Sequence, residues 1–438
     1  GERGERRSWI LVEQVIEKTL FLRHAPISCL SLMPHEHRSI VPSMASPVSS
    51  RRVATLVSAL VGVLSFVVLR TPGIGYGECE NQPVPGTMEI LTDYPPTCGL
   101  TELKPKEVDD VRVFAYNQKG GWCWSNSGVV YSVKRNEVTL IDVLTDPKQT
   151  EKLLQQVDKA LPGAKLKTLV LTHCDVDHIG GFQLVQNMVE EVYAAKGCED
   201  AMKAFYQSRM GVKVKLLHHA WRILDNPLTR RAFGGGDTVP RWLAKIAMAP
   251  LFDPFAWDKV SSWREISQGK FVTSELQGQR LTINEHVTLI TVNVSSHSDH
   301  DLVAEVGGVR FVGDILFNGI TPLIWSGTIH DALRVADDFG KNWDGFIVPG
   351  HGAIQHSFQK PFETSAGYWR NLLKVYEDKG QSEFTVSVLQ LLPSVYRKWE
   401  DPERTLINLW VHELYENNPG AKVNKLGLIA KYMSHRPL

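Results

Sequence analysis

Four potential metal ligands fall within six residues, His173-Cys174-Asp175-Val176-Asp177-His178, directly after the β-rich run Lys167-Thr168-Leu169-Val170-Leu171-Thr172. That run reads as a buried strand. A strand end is where a loop can turn several side chains toward one point, and imidazole and carboxylate are the usual ligands of a hydrolytic divalent ion. Gly180-Gly181 follows and permits close packing or unusual dihedrals just after the cluster.

The surrounding pattern is of α/β type. Residues 126–133 and 138–142 read as two strands joined by a polar hairpin turn at 134–137. Residues 147–161 carry Leu153, Leu154, Val157 and Leu161 at helical spacing, ended by Pro162-Gly163. Strand, strand, helix, strand is the signature of helices packed on a sheet. Residues 183–210 read as helical and 211–270 as irregular. Short strands are predicted at 280–284, 287–293, 302–306 and 309–313. A helix near 328–340 leads to a strand at 345–350, and three helices span Pro361 to about Asn418. Three further potential ligands stand at the ends of these strands: His297, Asp314 and His351. Singly each is an ordinary polar residue; together with the dense first cluster they predict a metal centre.

The ordered set resembles the metallo-beta-lactamase superfamily. Its first motif, Thr-His-x-His-x-Asp-His, is matched by Thr172-His173-Cys174-Asp175-Val176-Asp177-His178. Its later landmarks are matched by His297 in Ser296-His297-Ser298, Asp314 in Val312-Gly313-Asp314, and His351 in Pro349-Gly350-His351-Gly352. The resemblance covers roughly 110–360. It implies an αββα sandwich, here with a helical or irregular insert at 183–280 and a C-terminal helical extension at 361–438. It implies one or two divalent ions, most simply zinc. His173 and His297 would serve the first, Asp177, His178 and His351 the second, and Asp314 would bridge. Asp177 would also orient the attacking water. Asp175 stands where the family has its second histidine, and as a harder ligand it opens the first position to iron or manganese. His300 is a candidate replacement or rim residue. Cys174 lies inside the motif, where family geometry points it away.

The activity implied is hydrolysis of a small ester, lactone, thioester or amide. The alternatives are a phosphodiesterase or nuclease of the same fold, a mononuclear non-haem iron dioxygenase, and a non-catalytic metal-binding protein. Forty-eight basic and 48 acidic residues give zero net charge, and no dense Lys/Arg run lies near the motifs. Nucleic acid is therefore a disfavoured partner against a small molecule. Trp221, Trp242, Trp257 and Trp263 are candidates for a substrate wall or for the core of the insert. Trp325, after the bridging aspartate, is a candidate rim residue. The C-terminal helices are expected to cap the domain or form a homodimer contact.

Before the catalytic region, Arg51-Arg52 precede an uncharged small or apolar run at 53–69. This is the layout of a signal peptide or signal anchor, expected to occupy 44–77, with Met44 as start and 1–43 as upstream or added sequence. It places the protein in the secretory pathway, secreted or membrane-anchored; it would be cytoplasmic if the run is not a signal. Residues 78–109 form a Pro-rich lead-in, in which Cys79 and Cys98 either close a disulfide or stand as free thiols.

Overall fold

Alternation with a period of two divides each early strand between two hydrophobic layers. On β2 (Val111–Asn117), Val113 and Ala115 enter one layer while Phe114 and Tyr116 enter the other. On β3 (Ser127–Ser132) and β4 (Glu137–Ile141), Val130 and Ile141 join the first layer, and Val129 and Leu140 the second. A strand apolar on both faces has to be covered on both. The computed structural model describes residues 99–103, 110–118, 125–145, 147–207, 263–266, 277–379, 384–425, 427–428 and 431–432.

The first sheet has seven strands hydrogen-bonded in sequence order: β1 (Gly99–Leu103), β2, β3, β4, β5 (Lys165–Val170), β6 (Glu191–Ala195) and β7 (Trp263–Ile266). It is antiparallel up to β4 and parallel from β4 to β7. The second has six, in the order β13-β12-β11-β10-β9-β8: β8 (Gln277–Ile283), β9 (Val287–Val292), β10 (Leu302–Val306), β11 (Val309–Asn318), β12 (Phe346–Gly352) and β13 (Gln355–His356). Only the pair β11–β12 is parallel.

Between the sheets lie Val113, Val130, Val170, Leu289, Ala304, Phe311 and Val348. Outside the first sheet pack α1 (Pro147–Ala160), α2 (Val176–Ile179), α3 (Phe182–Val185) and α4 (Cys198–Gln207), through Leu153, Ile179, Phe182 and Met202. Outside the second pack α5 (Ile329–Phe339), α6 (Pro361–Lys379), the short α7 (Ser394–Arg397) and α8 (Thr405–Asn417), through Phe339, Leu372, Tyr396 and Leu409. The architecture is therefore an αββα sandwich whose C-terminal helices complete one outer layer. Each fully buried aliphatic side chain in these layers contributes roughly 1.5–3 kcal/mol relative to exposure.

Three sequence expectations are corrected. The stretch 183–210 is not continuously helical: it holds α3, strand β6 and α4. Two alanines and flanking glutamates masked β6, which pairs in parallel with β5 and β7 and draws its strand character from that burial. The strand expected to end at Gly313 runs on to Asn318, so Asp314 lies within β11. His351 likewise lies within β12. The third helix expected between Pro361 and Asn418 is reduced to α7 and 3-10 turns.

The apolar run 53–69, Cys79, Cys98, Trp221, Trp242 and Trp257 lie outside the described residues. Among those described, no helix is long and apolar enough to cross a membrane.

Candidate metal centre

The ligand-bearing segments meet where the two sheets open onto the same edge. His173 and Asp175 occupy the loop after β5, and Asp177 and His178 the first turns of α2. His297 follows β9, Asp314 lies mid-β11 and His351 near the end of β12. Two glycines allow this convergence. Gly313 takes a left-handed φ of +54°, at an irregularity in the β11–β12 register. A Cβ on Gly350 would stand 1.8 Å from Asp314 Oδ1, so only glycine lets that carboxylate lie against β12.

Asp314 is the hub. Its Oδ1 lies 3.1 Å from His178 Nε2; its Oδ2 lies 3.3 Å from both His297 Nε2 and His351 Nε2, and 3.7 Å from His173 Nε2. Asp177 Oδ2 stands 3.2 Å from His351 Nε2. Two groups suited to an ion result: Asp177, His178, Asp314 and His351; and His173, His297 and Asp314. The four histidines and Asp314 are buried, whereas the Asp177 side chain is 17% exposed.

Tautomers decide what these contacts mean. His178 Nδ1–H donates to Asp142 Oδ2 (2.8 Å), and His297 Nδ1–H donates to the Leu323 carbonyl (2.8 Å). Thr172 donates its backbone N–H to Asp142 Oδ1 and its hydroxyl to Oδ2 (2.8 and 2.7 Å). The Thr172 oxygen is then an acceptor for His173 Nδ1–H at 3.0 Å. All three rings thereby turn an Nε2 lone pair toward Asp314. His173 Nε2, His178 Nε2 and Asp314 Oδ1 are buried without a hydrogen-bond partner. Lone pairs facing a carboxylate at 3.1 Å repel unless a proton or a cation sits between them. The donor set thus fits a divalent ion bound through Nε2 and carboxylate oxygen.

Protons fill part of that role when no metal is bound. Burial alone would lower the His297 imidazole, but Asp314 and Asp175 outweigh it and raise its pKa to about 9. His178, against the same opposition from burial, is held well above its ordinary value by Asp314 and Asp142, and His351 is raised by Asp314 and Asp177. His173 goes the other way: burial and the neighbouring His178 push it down to about 3. Asp314 itself is held well below the carboxylate range by its four histidines despite its burial.

The frame around the cluster includes residues to which sequence reasoning gave no role. Asp142 fixes the first motif through the three bonds above. Asn126 Nδ2 donates to the carbonyls of Pro349 and Gly352 (2.9 Å each), and its backbone N–H donates to Gly350 O (2.8 Å), clasping the segment that carries His351. Ser125 donates to the Asp177 carbonyl. Asp301 accepts from the Ser298 N–H and from the Ser296 and Ser298 hydroxyls, shaping the His297 loop. The only sequence signal for these was polarity at strand ends, which does not reveal a partner far along the chain.

The remaining candidates are placed differently. His300 Nδ1–H donates to the Lys196 carbonyl, outside both ligand groups. Cys174 forms a disulfide with Cys198 at the start of α4, tying the ligand loop to the next helix and leaving no thiolate at the centre. Trp325 packs partly buried beside the centre's entrance, with the Lys425 ammonium 5.2 Å from its ring. Asp175 pairs with His297 Nε2 at 3.2 Å and with Lys425 Nζ at 2.6 Å. Elsewhere among the described residues, His330, His412 and Glu416 also converge. There, however, His412 Nδ1 accepts the Ile329 N–H at the start of α5, and burial followed by His330 lowers its pKa to about 4. That pattern describes a neutral helix cap.

No curated protein matches the sequence. Among solved structures, the chain is similar to a metallo-beta-lactamase family protein from Thermus thermophilus, at 17% identity over 74% of this chain and 94% of that one, with a TM-score of 0.44. It is also similar to a double mutant of the sec-alkyl sulfatase PisA1 (14% identity, 88% and 66% coverage, TM-score 0.48) and to a metallo-beta-lactamase from Hirschia baltica (14%, 61% and 96%, 0.37). The family model of the metallo-beta-lactamase superfamily matches residues 120–359, more than half of the sequence and a span that includes every candidate ligand described above. The chain belongs to the metallo-beta-lactamase superfamily.

Proposed function

We propose that this protein is a metal-dependent hydrolase of a small ester, lactone, thioester or amide. The observation that carries the reading is the convergence of the unpartnered, buried His173 and His178 Nε2 atoms on Asp314, beside a partly exposed carboxylate, Asp177. Asp177, His178, Asp314 and His351 would hold a divalent ion, with His173 and His297 on the other side of Asp314; the histidine-rich set suits zinc. Such an ion polarises a substrate oxygen and lowers the pKa of a coordinated water toward about 7.

The protein's own groups do the rest. Asp177 is the one ligand carboxylate with access to solvent, so it is placed to accept a hydrogen bond from the attacking water and orient it. Asp142 and Leu323 O lock the rings so that their Nδ1 protons cannot migrate to the reacting side. Phe317 stacks on His351, with ring planes 10° apart and centroids 4.8 Å apart, and keeps bulk water from that ligand's flank.

The test is a panel of p-nitrophenyl esters, thioesters, lactones and bis-p-nitrophenyl phosphate, assayed on protein of measured metal content. Zinc-dependent turnover of an acyl substrate, abolished by Asp177→Ala in a folded protein, is the expected result. Turnover confined to the phosphodiester would replace the acyl reading. Full activity of Asp177→Ala would refute the role of that residue.

A further inference from the structure

The superfamily's second motif histidine is replaced by Asp175, and Lys425 reaches that carboxylate from 250 positions further along the chain. Lys425 Nζ donates to Asp175 Oδ1 at 2.6 Å, while Asp175 Oδ2 faces His297 Nε2 at 3.2 Å. The same ammonium lies 5.2 Å from the centroid of the Trp325 ring, so a second contact holds it over the site. Asp175 belongs to neither of the two ligand groups.

We propose that Lys425 is a positioning residue that makes this centre hold one ion rather than two, by engaging the carboxylate that would otherwise complete the first position. The inference rests on the metal-centre reading given above.

The two positions differ in ligand number and in charge. The second offers four groups, including two carboxylates, which matches the four-coordinate preference and the charge of a divalent ion. The first offers only His173, His297 and the shared Asp314. Its natural fourth group, Asp175, is already neutralised by an ammonium that would also repel a second divalent ion. The pair is not sealed: the Asp175 side chain is 23% exposed and that of Lys425 is 43% exposed. Removing the lysine therefore strands no deeply buried charge, and the fold is expected to survive. A merely structural salt bridge at this exposure would add at most a little stability and leave metal binding untouched.

The experiment counts ions. The full chain is stripped with a chelator and re-equilibrated against Zn²⁺, and bound metal per chain is measured by mass spectrometry alongside calorimetric titration. The wild type is expected to bind one ion. Lys425→Met is expected to bind two, the second tightened roughly 10- to 100-fold relative to wild type. Lys425→Arg, which keeps the charge, and Asp175→Asn, which removes the freed ligand, should each stay at one. Two ions in the wild type, falling to one in Asp175→Asn, would overturn the proposal while leaving the metal centre standing. One ion in both wild type and Lys425→Met would overturn it as well. No bound ion in any protein would remove both the proposal and the metal-centre reading. Should Lys425→Met fail to fold by circular dichroism, Lys425→Gln, which also removes the charge, takes its place, and one ion in both it and the wild type overturns the proposal.

Discussion

Asp142 accepts three hydrogen bonds, two from Thr172 and one from His178. It therefore sets the tautomer of His178 directly and that of His173 through the Thr172 hydroxyl. Replacing it by asparagine turns one acceptor oxygen into a donor that faces N–H or O–H groups. Asp142→Asn should weaken zinc binding roughly 10- to 100-fold, as measured by competition with a chromophoric chelator. An unchanged affinity would show that the rings are oriented by packing alone. The protonated histidines make a second prediction at this scale. A raised folded pKa means that protonated His297 stabilises the metal-free protein fully below about 6.5, its ordinary value, and that this contribution disappears as pH rises through about 9. An ion on the Asp177, His178, Asp314 and His351 group requires the His178 and His351 nitrogens bare, and both are held above their ordinary value, so zinc affinity should still be climbing with pH above about 6.5. Zinc loading at about pH 7 should release protons, detectable by calorimetry in buffers of different ionisation enthalpy. Proton-neutral binding under those conditions would contradict the raised pKa values.

At the scale of elements, the close approach of β11 and β12 is the tightest constraint. Gly350→Ala would drive a methyl group into the Asp314 carboxylate, displacing the hub of the centre or the strand that bears His351. The expected result is loss of zinc binding together with a destabilisation of a few kcal/mol in urea unfolding of the metal-free protein. Retention of both would mean that the strands part without consequence. This element also shows what the sequence could carry. His173, Asp177 and His178 stand out in the sequence as candidates because they fall within six residues after an apolar strand, and His297, Asp314 and His351 because each follows a β-rich run. That Asp314 sits inside a strand, at a left-handed glycine, was not legible, since a parallel pair with irregular register leaves no local periodicity to read. Strand β6 was hidden for a related reason: its sheet character comes from neighbours on both sides and not from its own residues. Lys425 was invisible because nothing near it in the chain refers to Asp175.

At the scale of the whole domain, the candidate ligands are drawn from both sheets. His173, Asp177 and His178 hang from the first, and His297, Asp314 and His351 from the second. An ion bound by both groups makes separation of the layers and loss of the metal one event. Zinc at about 100 times its dissociation constant should therefore add about 2.7 kcal/mol to the stability of the domain and raise its melting temperature by several degrees, reversed by chelation. A melting temperature indifferent to zinc would show that the layers part without disturbing the centre. The clasp made by Asn126 bears on the same point from another direction. It joins the first sheet to the carbonyls on either side of His351, and Asn117 reinforces it through Asn126 Oδ1 and Gly352 O. The two sheets are thus tied together at His351, before any ion arrives, by the Asn126 and Asn117 side-chain amides and by the main-chain bond from Asn126 N–H to Gly350 O. A cage spanned in this way, lined by imidazoles as much as by carboxylates, should discriminate against an ion as large as calcium, which seeks six to eight oxygens at about 2.3–2.6 Å; calcium failing to compete with zinc in an equilibrium titration is the expected result.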